Sequence, residues 1–259
     1  MILKHKQVVR KIMRKYTGEK QKYDRSSPAI LRMILLVVIP LFVFSIAALP
    51  SVALLSFYIL YVSTWISNLI ISIFLLPFIL FISLLILILS TAFFTGITIR
   101  GLHLTYKEGR YSKSIKDKTT FHFTLYYILY RPTVKLLSII FIPPIYAKYL
   151  SLIGAKIGKH VFFGGRNTIS DPCVVEIGSN SLIGGGATIM SHLGEDKLVI
   201  KKVKIGSHCL VGAEALIMPG VTLEDNVVLG GKSLVTKNKT LKAGAMYGGV
   251  PAELIKKNK

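Results

Sequence analysis

The stretch TIMSHLGEDK (Thr188 to Lys197) sets one histidine, His192, three residues ahead of two carboxylates, Glu195 and Asp196. An imidazole with an ordinary pKa near about 6.5 can take a proton from a hydroxyl or an amine at neutral pH. A carboxylate on its other ring nitrogen would orient the ring, and Glu195 and Asp196 are the nearest in sequence. A single histidine on a surface loop is more often a solvated side chain that does no chemistry. His160 and His208 raise a competing possibility, three histidines around a metal ion. Cys173 and Cys209 are too few for a disulfide framework and lack metal-ligand spacing.

The element that carries His192 is set by a period of six. Aliphatic or aromatic residues recur at Ile157, Phe163 and Ile169, slip by two, then recur at Ile177, Ile183 and Ile189. After a gap the strictest run follows at Ile205, Val211, Ile217, Leu223, Leu229, Val235, Leu241 and Tyr247. Neither a helix nor a simple strand repeats every six residues, whereas a hexapeptide parallel β-helix does. Three hexads close one triangular coil, so the run predicts about five coils, with aliphatic residues inside and glycine at the corners, where a positive φ costs it little. Cys173 and Cys209, each four places after a hexad start, then fall in the interior. The ten surplus residues Glu195 to Lys204 form a loop thrown out of a corner, with His192 at its root. Counting hexads puts His160 and His208 on one corner and His192 on another.

IGSHCLVGAEALIMPGVTLEDNVVLGGKSLVTKN followed by YGGVPAELIKK resembles the left-handed β-helix acyltransferases, the hexapeptide-repeat family that includes sugar and antibiotic O-acetyltransferases. Gly249-Val250-Pro251-Ala252 matches the family's G-x-P-A turn, and a histidine ahead of an inserted loop is its usual catalytic arrangement. YKEGRYSKS, IGAKIGKHVFFGG and ISDPCVVEIGSNSLIGGGATIMSHLGEDK extend the likeness. With the hexads they are similar to the membrane-associated C-terminal units of nonribosomal-peptide-synthetase-like proteins such as ε-poly-lysine synthetase. This chain has a single unit, without an adenylation or carrier domain. The resemblance implies acyl transfer from a coenzyme A thioester, with His192 as general base and Glu195 or Asp196 orienting it. Backbone N–H groups near Gly212 or Gly230 would meet the oxyanion. Lys232, Lys237, Lys239 and Lys242, beside the turn at Gly249 and Pro251, would meet the donor's phosphates. No metal is expected. Metal-dependent carbonic anhydrases share the fold, but the close histidine pair associated with them is absent.

The rest of the chain says where this domain works. No charged residue and no histidine occurs in the 67 positions between Arg32 and Arg100, while one bilayer crossing needs about 20 apolar residues. The polar, aromatic stretch SFYILYVSTWISN (Ser56 to Asn68) predicts a turn between spans near Met33–Tyr58 and Leu69–Phe94, with Pro40 and Pro77 as kinks. Residues 1–32 read as a basic arm, 33–99 as two transmembrane helices, 100–150 as aromatic helices in the interface and 151–259 as the β-helix. The net charge of +21 is spread over the arm, the middle and the C-terminal domain. Basic segments on both sides of the hairpin place the β-helix and both termini in the cytoplasm. No helix-turn-helix, RNP box or zinc knuckle is present, so the excess points to lipid or a small anion and not to nucleic acid.

The resemblance, taken with the apolar hairpin, therefore implies a cytoplasmic-membrane acyltransferase. It would move an acetyl or acyl group from coenzyme A to a hydroxyl or amine of a lipid-linked or amphiphilic acceptor. A homotrimer is expected, because three prisms about an axis would close the corner grooves against water. Two other readings are a non-enzymatic trimeric scaffold and a carbonic-anhydrase-like metalloenzyme.

Overall fold

A computed structural model describes residues 27–66 and 69–257. The expected basic arm lies almost entirely outside these residues. Helix α1 runs over Ser27–Phe57 and continues through a π-helical turn, Tyr58–Val62, and one further turn, Ser63–Trp65. Helix α2 covers Leu69–Gly101. The turn between them is thus shorter than Ser56–Asn68, because the tyrosine-rich segment stays helical. Each apolar stretch, Ala29–Val62 with 34 residues and Leu69–Gly101 with 33, is long enough to cross a membrane. At 1.5 Å per residue each is roughly 50 Å long, against about 30 Å of hydrocarbon. Small polar groups tie the pair together: Ser51 Oγ and Ser83 Oγ lie 2.6 Å apart, and Ser90 Oγ donates to the Ala47 carbonyl at 2.6 Å.

The surplus length of α2 is used for docking. Ile88, Thr91, Ala92, Thr95, Gly96 and Ile99, one helical stripe, are buried. They pack against α3 (Lys118–Leu137) and α4 (Pro143–Leu152). Thr95 Oγ1 lies 3.2 Å from both the Tyr149 hydroxyl and Thr133 Oγ1, and a Cβ at Gly96 would fall on the Leu152 side chain. Asp117 caps α3 by accepting from the Thr120 N–H at 2.9 Å. On the other side, Tyr126 and Tyr146 donate to the carbonyls of Ile153 (3.0 Å) and Asn167 (3.2 Å). These aromatic helices therefore join the hairpin to the C-terminal domain.

That domain is a hexapeptide-repeat β-helix of the left-handed type, with three parallel sheets. One stacks strands Lys156–Ile157, Val175–Ile177, Val203–Ile205, Thr222–Leu223 and Thr240–Leu241. The second begins at Phe162–Phe163 and the third at Thr168–Ile169. Interior ladders such as Phe163, Ile183, Val211 and Leu229 are fully buried, each side chain contributing about 1.5–3 kcal/mol of transfer free energy. The corners depart from expectation. His160, Asn180, His208 and Asn226 hold the left-handed conformation on the first, and Arg166, Glu214 and Lys232 on the second, so glycine is the minority there. Glycine is needed instead just after the interior residue, where coils touch: a Cβ at Gly178 would overlap the backbone of Gly206 and Ser207.

Candidate active site

Asn238 and Gly220 make the third corner of the lower coils with a positive φ. In the first two coils this corner is rebuilt. The two-residue slip produces a left-handed Asp171 (φ 56°) and a 3₁₀ turn, Pro172–Val174. The ten surplus residues are not a bare loop. A β-hairpin starts three residues earlier, His192–Gly194 paired antiparallel with Leu198–Ile200, Gly109–Tyr111 from the linker adds a third strand, and Val203–Lys204 already belong to the ladder.

The two irregular corners meet. His192 Nδ1 lies 2.5 Å from Asp171 Oδ2, with Asp171 completely buried and the imidazole 26% exposed. The other carboxylate oxygen accepts from the Tyr106 hydroxyl at 2.6 Å, and the Asp171 N–H donates to the Tyr130 hydroxyl at 3.4 Å. A buried carboxylate is tolerated only when its oxygens are bonded in this way. With Asp171 accepting from Nδ1–H, Nε2 keeps the lone pair that a general base requires. Helix α3 walls the ring: the Phe123 centroid is 5.1 Å away, edge to face, and that of Tyr127 is 6.4 Å away.

Glu195 and Asp196, expected beside the ring, are engaged elsewhere. The hairpin carries them away from its root, where Glu195 meets Lys237 at 2.8 Å and Asp196 meets Arg110 at 2.6 Å. The Lys237 ammonium holds the Glu195 carboxyl below its ordinary value. The carboxylate that meets the ring is Asp171, and the slip from Ile169 to Ile177 was its signal in the sequence.

The other expected residues are scattered in a single chain. Gly212 and Gly230 lie beside the second corner, and both N–H groups donate at 2.8 Å within the ladder, to Leu229 and Tyr247, so they are not free for an oxyanion. Lys232 stands at the second corner near Glu214 (3.7 Å), and Lys242 bonds Glu224 at 2.9 Å. Lys239 follows the third corner, donating its backbone N–H to Thr236. The four lysines are therefore not one cluster. Gly249 (φ 96°) and the cis Val250–Pro251 peptide shape the G-x-P-A turn, which is fixed by Gly249 N–H to Ser233 Oγ at 3.2 Å. Lys237 instead joins cations that went unnoticed in the sequence: with Arg110, Lys201, Lys202 and Lys204 it lines a cleft of about 750 Å³ under the hairpin.

Cys209 is buried in the prism as expected, but Cys173 sits in the 3₁₀ turn, its Sγ 3.9 Å from the Tyr106 carbonyl. Desolvation pushes the Cys173 thiol up to about 12 and raises that of Cys209 as well.

The repeat described as the hexapeptide repeat of succinyl-transferase matches residues 154–191 and 202–237. The chain is similar to a putative acetyltransferase, YvoF, of Bacillus subtilis (strain 168), 33% identical over 41% of this chain and 63% of the relative. It is also similar to the galactoside O-acetyltransferase of Escherichia coli (strain K12), 32% identical over 44% of this chain and 58% of the relative. In both cases the match spans less than two thirds of the relative's length. Among solved structures, a maltose O-acetyltransferase from Clostridium difficile 630 is 18% identical, with a TM-score of 0.45, over 59% of this chain and 94% of the other.

Proposed function

The C-terminal domain belongs to the hexapeptide-repeat acyltransferase family, and from that premise we propose that the protein is a membrane-anchored acyltransferase using the Asp171–His192 pair as its base. The carrying observation is that pair: a buried carboxylate on Nδ1 leaves Nε2 of a partly exposed ring for the acceptor's proton. Nε2 removes the proton as the acceptor oxygen or nitrogen attacks the thioester carbonyl. A bond from the acceptor to the acyl carbon forms. The C–S bond then breaks, and coenzyme A leaves as a thiol with the proton from Nε2.

Acetyl-CoA is the proposed donor, in keeping with the names of the two relatives. The cations around the cleft under the hairpin, Arg110, Lys201, Lys202, Lys204 and Lys237, would seat its phosphates. They need not touch His192, since the pantetheine arm separates phosphates from thioester. The acceptor is a lipid-linked or amphiphilic hydroxyl or amine. That assignment is supported by α3, which touches both the apolar hairpin and the His192 ring. Both termini and the β-helix would be cytoplasmic.

The active unit would be a homotrimer. Lys232 and Lys242 lie near corners that His192 does not share, and a neighbouring chain is one way to bring such cations, together with a free backbone N–H, to it. The decisive experiment measures thiol release from acetyl-CoA by the protein in mild detergent, with mass spectrometry of co-purified lipids identifying the acceptor. Absence of turnover with any co-purified or added amphiphile would overturn the proposal.

A further inference from the structure

Tyr106 lies in the linker after α2, 65 residues before Asp171, and its ring is 7% exposed. Phe123 and Tyr126 clamp the ring, with centroids at 5.6 and 5.5 Å. Burial first, and then the Asp171 charge, hold the phenol well above its ordinary value, so the hydroxyl remains a donor under working conditions. The carboxylate thus has one oxygen on Tyr106 and the other on His192, at 2.6 and 2.5 Å.

We propose that Tyr106 is a positioning residue for acyl transfer: its hydroxyl fixes the rotation of the Asp171 carboxylate, and so the direction in which His192 presents Nε2. This rests on the reading of His192 as the base. Tyr106 exchanges no proton with the substrate. A carboxylate held at only one oxygen could turn about its Cβ–Cγ bond, and the ring would turn with it. Because Tyr106 follows α2 by five residues and packs on α3, the alignment of the base depends on how the apolar hairpin docks on the prism.

The test is Tyr106→Phe, which keeps the ring, in the full chain in detergent, alone and combined with Asp171→Asn. Alone it should lower kcat about tenfold and leave KM for acetyl-CoA within about twofold. Added to Asp171→Asn it should cost no more than about a further twofold, because the charge through which it acts is gone. Proton NMR supplies a readout that needs no turnover. The far-downfield signal of the Nδ1–H shared with Asp171 should move in Tyr106→Phe and vanish in Asp171→Asn. Parental kcat with an unmoved signal, or equal losses in both backgrounds, would overturn the proposal. A moved signal in a protein without transferase activity would leave the positioning role standing and remove the functional reading.

Discussion

Asp171 and His192 turn the same corner of two successive coils, and each stands where the six-residue phase breaks. The regular corners below them, Gly220 and Asn238, have no such contact to make. Two insertions, of two and ten residues, free one corner from the ladder and let a carboxylate and an imidazole approach to 2.5 Å.

Asp171→Asn keeps the size of the side chain and removes its charge, and an amide can hold the wrong tautomer of the ring. A fall in kcat of roughly 10²–10⁴-fold is expected. Glu195→Gln and Asp196→Asn should leave kcat within about twofold, since both carboxylates are exposed and paired with Lys237 and Arg110. Steady-state kinetics of the three variants separates the assignments. A large loss in Glu195→Gln with none in Asp171→Asn would reverse them.

Both cysteines should resist alkylation. The thiolate is the reactive form, and a folded-state pKa raised by burial, to about 12 for Cys173, keeps it scarce at pH 8. Iodoacetamide followed by intact-mass measurement should show no adduct on the native protein and two after denaturation. Rapid native labelling of Cys173 would mean that the 3₁₀ turn opens.

If α1 and α2 both cross the membrane, tags at the two termini should be reached by protease or thiol reagent only from the cytoplasmic side. A tag near Ser63 should be reached only from outside. Termini on opposite sides would require a different number of crossings.

Native mass spectrometry in detergent should give three copies of the chain. A stable monomer with full activity would contradict a site shared between chains, and would require the oxyanion donors to come from the same chain as His192.

Much of this was legible in the sequence, because a core ladder such as Phe163, Ile183, Val211 and Leu229 has to repeat with the geometry of the coil. The hairpin of two apolar helices was equally plain, since 67 uncharged positions admit little else. The site was half visible. His192 stands out at a break in phase, and the smaller break at Asp171 is detectable by the same count, although a two-residue slip looks like noise beside a ten-residue one. Tyr106 and the Gly109–Tyr111 strand lie in YKEGRYSKS, a stretch the resemblance singled out, but their contacts left no signal, because pairs 65 to 91 residues apart meet only when α3 folds the linker back onto the prism. The glycine pattern was read only in part: Gly186, Gly220 and Gly244 do hold a positive φ at corners, but glycines such as Gly178 answer to the close approach of stacked coils.

The central claim is that His192 removes the acceptor's proton. Its most direct test is the rate of thiol release from acetyl-CoA by His192→Ala, in detergent with the co-purified acceptor, beside the parent at equal mass and melting temperature. A partly exposed corner side chain adds little to the prism's interior, so fold and assembly should persist while kcat falls at least about 100-fold. Turnover at the parental rate by a folded His192→Ala protein would contradict the account.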